Sequence, residues 1–457
     1  MYPSKLQLFM AVVTVLAGLL PGIIAAKKIK SATDYSVGGR KANEFLVAGS
    51  IIGTLVGGAA TVGTAQLAFI IGIAAWWFTL GSGIALIIMA LFYARPLRSS
   101  GFTTISELLG KTYNPYAAIL GSLSASSGIF FSVVASSLTA LHLIARIFNI
   151  GFFNSAIILI LITSSIVFFG GISGSGNTGL LKLGTILLTI LYGGLCAYHD
   201  MDSLQGIQQI FPSSPWLNLF SYGTQQSLVN LLSMIIGVIS TQSYAQALFS
   251  ARDSQTALRG CIIAALIVIP LGLPSVAIGM FMAIHHPNIS SIDALPLFLI
   301  TYLPDWLGGI GIGALLLSSF GSISGLALGV STMFSNDICK KLWINLSPSK
   351  LLLVNRLNVL STIFLAIAFT YFHLDSEVLK WNFLSMALRG CAIFLPLSFA
   401  IFCASPIHPY TGVLSILSGI IISCFWDFSF GEYVNSIFPS LIISFLILLY
   451  GICFKKE

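Results

Sequence analysis

Long apolar runs, separated by short stretches rich in glycine, proline and charge, constrain this chain more than any other feature of its sequence. A helix needs about 20 mostly apolar residues to cross a bilayer, which is the length of most of these runs. Hydrophobic residues make up 56% of the chain and charged residues 8%, whereas a soluble globular protein carries roughly 25% charged residues. These values exclude an ordinary soluble enzyme and predict an all-α integral membrane protein. We predict thirteen transmembrane helices, near residues 6–25, 45–71, 73–94, 115–146, 153–171, 179–197, 226–250, 258–284, 308–336, 351–372, 382–403, 410–426 and 436–454.

Basic residues lie in clusters between the apolar runs. The formal net charge of +7 therefore indicates membrane topology and predicts no nucleic-acid partner. With the N-terminus outside, the inner loops hold 17 of the 21 Lys and Arg residues: Lys27, Lys28, Lys30, Arg40, Lys41, Arg95, Arg98, Lys111, Lys182, Arg252, Arg259, Lys340, Lys341, Lys350, Arg356, Lys455 and Lys456. We predict a multi-pass protein of the plasma (inner) membrane with a cytoplasmic C-terminus. The first run could alternatively be a cleaved signal peptide, but its length and the basic cluster after it favour an anchor.

Two predicted spans are interrupted by small and hydroxyl residues, at Gly53–Gly63 and at Gly237–Ser243. They are five spans apart, so they enter the membrane from opposite sides. Each is followed, two spans later, by a long span rich in small residues. This arrangement is typical of an inverted repeat with a binding site near the bilayer midplane, although glycines also permit close helix packing in any membrane bundle.

Several short motifs then suggest a family. They are Asp34–Arg40, Ala65–Phe69, Leu97–Glu107, Ala251–Ser254 and Ser331–Ile338. In order and spacing, over roughly residues 30–400, the chain resembles the sodium:solute symporter family. The resemblance implies a leucine-transporter-like fold and solute uptake driven by sodium. The implied organisation is an N-terminal helix (1–30), two inverted repeats of five helices (31–200 and 201–405) and two C-terminal helices (406–457).

A sodium ion requires oxygen ligands, which carbonyls freed by an unwound helix and nearby hydroxyls can supply without a carboxylate. The resemblance implies Gly57, Ala60, Ser318 and Ser322 as the ion-binding residues. Gly321 departs from the usual Ser or Thr of the family, and Gly179 stands where an Asp is common. One sodium per cycle is therefore favoured over two, and proton coupling stays open. The serines could alternatively bond to a carbonyl one turn earlier.

Polar residues on the interrupted spans and on the span at 115–146 are the candidates for solute binding. They are Thr61, Gln66, Ser127, Thr241, Gln242, Ser243 and Tyr244. Arg389 is interpreted as the one charge well inside a span. Because no acidic residue is predicted at its depth, a substrate carboxylate could be its counter-ion, or it could bond to carbonyls or extend outward.

The sequence therefore predicts a symporter for a small organic solute, an organic anion, an amino acid or a vitamin-like compound, coupled to sodium by alternating access. Proton-coupled or uncoupled transport by the same fold is the alternative, and a channel is less favoured because nothing resembles a selectivity filter. No Ser, His and Asp set converges, so we predict no enzymatic activity. No organic cofactor and no cysteine-based metal site are expected, and the protein is expected to function as a monomer. The particular solute cannot be read from the sequence.

Overall fold

The computed structural model describes residues 3–26, 36–339, 347–403, 407–429 and 434–453, with the backbone alone at 21–26, 167–178, 348 and 427–429. Helices dominate the described residues, which contain no strand apart from one bridge between Ala42 and Ala251. The helices are α1 Lys5–Ala26, α2 Glu44–Leu55, α3 Thr64–Ile71, α4 Trp77–Ile88, α5 Ala94–Ser99, α6 Ile105–Thr112, α7 Pro115–Phe148, α8 Phe152–Ile186, α9 Tyr192–Asp200, α10 Ser203–Ile210, α11 Thr224–Ile239, α12 Gln242–Ser250, α13 Ser254–His285, α14 Ala294–Thr301, α15 Asp305–Met333, α16 Pro348–Tyr371, α17 Val378–Phe402, α18 Pro409–Ser429 and α19 Ile437–Cys453. π-Helical turns lie at Ala59–Gly63, Met89–Tyr93, Leu187–Leu191 and Phe334–Cys339.

Polar side chains begin five of the described helices by accepting a bond from a first-turn backbone N–H group. Asn43 caps α2, Thr104 caps α6, and Asn114 caps α7 just before Pro115. Asp253 caps α13 by accepting from the backbone N–H of Thr256, and this bond holds the pKa of the Asp253 carboxyl below its usual value. The starts of these capped helices are thus encoded locally, at the polar ends of apolar runs.

Eight described helices are long and apolar enough to span a membrane, or nine when α11 and α12 count as one bent span. The all-helical membrane architecture is therefore confirmed, and the count of thirteen stays a prediction. Residues 179–200 form a candidate span, as predicted at 179–197, but α8 continues through the boundary predicted between this span and the one at 153–171. In apolar surroundings, backbone groups that leave the helix find no water to replace their hydrogen bonds, so even a glycine-rich segment stays helical. Asp34, Tyr35 and several predicted inner-loop cations lie outside the described residues: Lys27, Lys28, Lys30, Lys340, Lys341, Lys455 and Lys456.

The helix α15 lies in the centre of the molecule. Every residue from 311 to 333 is buried, which is typical of a helix surrounded on all sides by other helices. Short helices of 8 residues, α6 and α14, precede the long helices α7 and α15. These matching pairs agree with the predicted repeat, whose inverted orientation and boundaries stay predictions.

Candidate functional site

The first interrupted span is broken in the structure. The helix α2 ends at Leu55, Val56 has non-helical backbone angles (φ −80°, ψ 76°), and a π-helical turn begins at Ala59. In a continuous helix the carbonyl of Gly53 would accept from the N–H of Gly57. Here that N–H donates to the carbonyl of Leu55 instead, at 2.9 Å. The break therefore frees the Gly53 carbonyl for another donor.

Helix α15 lies directly against this break. The hydroxyl of Ser318 donates to the carbonyl of Val56 at 2.8 Å, and that of Ser322 donates to the carbonyl of Gly53 over a long 3.5 Å. A Cβ atom added to Gly57 would lie 2.4 Å from the Ser322 hydroxyl. Three of the four predicted ion-binding residues, Gly57, Ser318 and Ser322, are thus brought together. Ala60 is buried in the π-helical turn beyond the break, and ion binding by all four stays a prediction.

Lys182 also belongs to this cluster, although the pattern of basic residues predicts an inner-loop position for it. That placement is wrong, because the side chain is 0% exposed. Its Nζ atom donates to the carbonyl of Gly53 at 2.7 Å and to that of Ser318 at 3.1 Å. The interpretation of Arg389 as the one deeply placed charge is wrong for the same reason. A lysine within a long apolar run is the one sequence signal of this burial. Its bonding partners could not be identified from the sequence, because they lie more than a hundred positions away.

The second interrupted span is also broken. The axes of α11 and α12 are bent by 43° at Ser240–Thr241. Thr241 donates its hydroxyl to the Gly237 carbonyl at 2.6 Å, a bond to the preceding turn of the kind that bends helices. Both helices expected to be discontinuous are therefore broken at the predicted segments.

Arg389 reaches this second break from α17. Its side chain is 0% exposed, and its Nε atom donates to the carbonyl of Gly237 at 3.2 Å. Its Nη1 atom donates to the hydroxyls of Ser385 and Ser132, at 2.8 Å and 3.3 Å. Nη2 contacts the sulfur of Met386 at 2.6 Å, and a thioether is a weak acceptor. Within the described ranges, no acidic side chain forms an ion pair with Arg389.

The remaining predicted solute residues on these spans differ in their burial and in their hydrogen-bond partners. Ser243 and Tyr244 are buried, and Ser243 donates to the carbonyl of Gly325 at 3.1 Å. Thr61 bonds to the Gly57 carbonyl in its own chain segment, at 3.1 Å. Ser127 is exposed and donates to the carbonyl of Ser124 at 2.9 Å, and the next residue, Gly128, packs against Arg389.

Gln66 and Gln242 join helices to neighbouring segments. The side-chain oxygen of Gln66 accepts from the N–H of Val378 at 3.2 Å. The amide of Gln242 accepts from the N–H of Ile105 at 2.9 Å and donates to the carbonyl of Thr103 at 3.0 Å. Both glutamine side chains therefore bond to the backbone of another segment in this structure, instead of being left free to bind a ligand.

A buried carboxylate adds to the connection made by Gln242. Asp337, 1% exposed, accepts from Thr104 at 2.9 Å and from Ser122 at 2.8 Å. We call the contacts of Gln242 and Asp337 with residues 103–105 and Ser122 the α6 clamp. The sequence places Asp337 at the end of a span and does not indicate this role.

Two broken helices packed around a central buried helix define a secondary transporter of the leucine-transporter-like fold. The structure of a Na⁺-coupled sialic acid symporter matches 98% of this chain and 97% of its own, with a TM-score of 0.77 and 20% identity. The model of the sodium:solute symporter family matches residues 35–406. The chain belongs to this family, whose coupling ion is sodium.

Two relatives illustrate how far this chain resembles other members. The high affinity choline transporter 1 of Homo sapiens is 25% identical over 435 residues, covering 88% of this chain and 73% of the relative. The sodium/sialic acid symporter SiaT of Proteus mirabilis is 23% identical over 395 residues, covering 80% and 78%. Both are transport proteins, and the solutes in their names differ in charge.

Proposed function

We propose that this protein takes up a small organic solute that carries a carboxylate, by alternating access around the two broken helices. The observation that supports this proposal best is the buried guanidinium of Arg389 beside the second break. The carboxylate classes in question are organic anions and amino acids.

The contacts of Arg389 favour an anionic partner. A guanidinium has five N–H donors in a planar fork that matches a carboxylate, and its described protein partners are neutral. One of them, the sulfur of Met386, is a poor acceptor for a charged donor. A carboxylate that displaced this contact would supply the missing negative charge. By the same reasoning, a buried cation disfavours choline, the solute named for the human relative.

Alternating access requires that contacts on the two sides of the site open in turn. On one side, the bond from Val378 to Gln66 joins α17 to α3. On the other, the α6 clamp joins α12 and the π-helical turn at Phe334–Cys339 to the segment before α6. Both sets of contacts are closed in this structure. We propose that they are the gates on opposite sides, in a plasma (inner) membrane protein that functions as a monomer.

The experiment is uptake into proteoliposomes from a panel of carboxylic acids, amino acids, vitamins, sugars and choline. Internal unlabelled solute is included so that exchange is measured even without an ion gradient. We expect exchange of at least one carboxylate and none of choline. Exchange of choline in preference to every carboxylate would contradict the assigned solute class, and the absence of exchange for the whole panel would contradict the proposal.

A further inference from the structure

The cluster at the first break holds a charge of its own. The three N–H bonds of a lysine ammonium are donors, and two carbonyl oxygens accept from Lys182. One of these carbonyls, that of Gly53, is the group freed where α2 ends. The C-terminal end of a helix carries partial negative charge and attracts cations. The break therefore forms a cation site in which the side chain of Lys182 lies.

Two departures from the family pattern lie close to this side chain. A Cβ atom added to Gly321 would lie 3.4 Å from the Lys182 Nζ atom and the same distance from the Gly53 carbonyl oxygen. A Cβ atom added to Gly179, one turn before Lys182, would lie 2.2 Å from the Gly49 carbonyl oxygen. A Cβ atom at 321 would thus only touch the ammonium at an ordinary van der Waals distance, whereas glycine at 179 lets α8 approach α2 closely. Both substitutions fit a lysine at position 182.

The oxygens of this cluster do not fit a free sodium ion as they are arranged here. A sodium ion would need the same carbonyl oxygens to which Lys182 donates. The ion and the Lys182 ammonium would then be close neighbours, and two positive charges repel each other strongly where water is excluded. Outward extension of the lysine is also excluded, since the side chain is 0% exposed. Along the described residues, no carboxylate forms an ion pair with Lys182, so it is the positive member of a site made of neutral oxygens.

We propose that the ammonium of Lys182 is the resident cation of this site and stands where the family pattern places sodium, so that this chain transports its solute without requiring sodium. The lysine is a covalently attached substitute for the ion: it holds α2, α8 and α15 together at the break. The part of the inference that concerns uptake rests on the proposed transport function, and the part that concerns ion binding does not.

Sodium binding is tested first, on the purified protein and without a solute. The melting temperature is measured while KCl is replaced by NaCl at constant ionic strength. We expect no change for the natural chain, and a saturable rise of about 3 °C or more for the double variant Lys182→Ala/Gly321→Ser, which removes the ammonium and adds a hydroxyl. The matched control is Lys380→Ala, an exposed lysine that should behave as the natural chain does.

Uptake is tested second, with whichever solute the panel identifies. Replacement of external sodium by N-methylglucamine should leave the initial rate of the natural chain unchanged. A saturable sodium-induced rise of melting temperature in the natural chain, or a loss of uptake without sodium, would overturn the inference. Both the melting-temperature test and the uptake test are made on the natural chain. They therefore decide the inference even if the double variant does not fold. If no solute is exchanged, the transport proposal fails while the binding result still decides the role of Lys182.

Discussion

Gly57 shows how closely the helices approach at the first break. Besides the Ser322 hydroxyl at 2.4 Å, a Cβ atom there would lie 3.2 Å from the hydroxyl of Ser136. Helices α7 and α15 therefore both contact the backbone at this point. Glycine is needed for that approach, because a Cβ atom would overlap the side chain of Ser322, whose own Cβ atom would lie 2.8 Å away.

The variant Gly57→Ala should therefore destabilise the protein. Overpacking in a well-packed interior costs about 1–3 kcal/mol, so we expect a lower melting temperature and a lower uptake rate. The control is Gly184→Ala in α8, where an added Cβ atom has no neighbour within 4 Å. Equal melting temperatures for Gly57→Ala and the natural chain would show that the break is looser than described.

Arg389 is the residue on which the assigned solute class depends. The variant Arg389→Gln keeps hydrogen-bond donors but removes the charge. Hydrogen bonds to charged groups contribute about 1.5–3 kcal/mol, so the affinity for a carboxylate solute should fall roughly tenfold or more. The measurement is the half-saturation concentration for exchange, with Arg146→Gln, whose side chain is 45% exposed, as the control. An unchanged half-saturation concentration would remove Arg389 from the solute site.

The elements could be predicted from the sequence better than the contacts between them. Apolar runs predict most helices, and the small and hydroxyl residues near Gly57 and Ser240 predict both breaks because they contradict a plain apolar span. The position of Lys182 could not be predicted, since its partners Gly53 and Ser318 come from two other helices. The rule that cytoplasmic loops are rich in Lys and Arg predicts a loop position for this lysine, because the rule counts cations and takes no account of their burial.

Gln242 joins two elements that must separate if the α6 clamp is a gate. Its side-chain amide makes two bonds to residues 103–105, so Gln242→Ala should weaken the clamp and open that side more often. The probe is Ser106→Cys, at a buried hydroxyl that is 1% exposed. We expect its maleimide reaction to be faster when Gln242→Ala is also present.

The labelling rate is taken as the difference between chains with and without Ser106→Cys, since Cys424 and Cys453 are themselves exposed. Gln226→Ala serves as the control, because Gln226 is an exposed residue whose amide bonds to Asn230 in its own helix at 3.0 Å. If the two alanine variants label at the same rate, Gln242 does not hold a gate closed.

At the scale of the whole molecule, basic residues connect the chain segments on the side that carries the α6 clamp. Arg98 donates to the carbonyls of Ala251 and Arg252, and Arg40 donates to those of Gly101 and Phe102. The backbone of Ala42 pairs with Ser250 and Arg252 at 3.0 Å each. The cations that the topology rule assigns to the cytoplasm thus also connect the segments on which opening of that side depends.

The opposite side of the molecule is covered by the segment after α10. The carbonyl of Trp216 accepts from Ile73 at 2.9 Å, and that of Leu219 accepts from the Trp77 indole at 2.6 Å. Gly72, with φ +71°, has no room for a side chain, because a Cβ atom would lie 2.3 Å from the Trp216 carbonyl oxygen. This segment has few cations, which predicts that it faces the outside.

Orientation can be measured with one cysteine on each side. Ser213→Cys lies in the segment after α10 and Ser99→Cys at the end of α5, and both serines are exposed. Because basic loops are retained in the cytoplasm, a membrane-impermeant maleimide should label Ser213→Cys in intact cells and Ser99→Cys only after the cells are permeabilised. The signal of the natural chain is subtracted in both cases. The reverse pattern would place the α6 clamp outside, and the contact between Gln66 and Val378 would then be the inner gate.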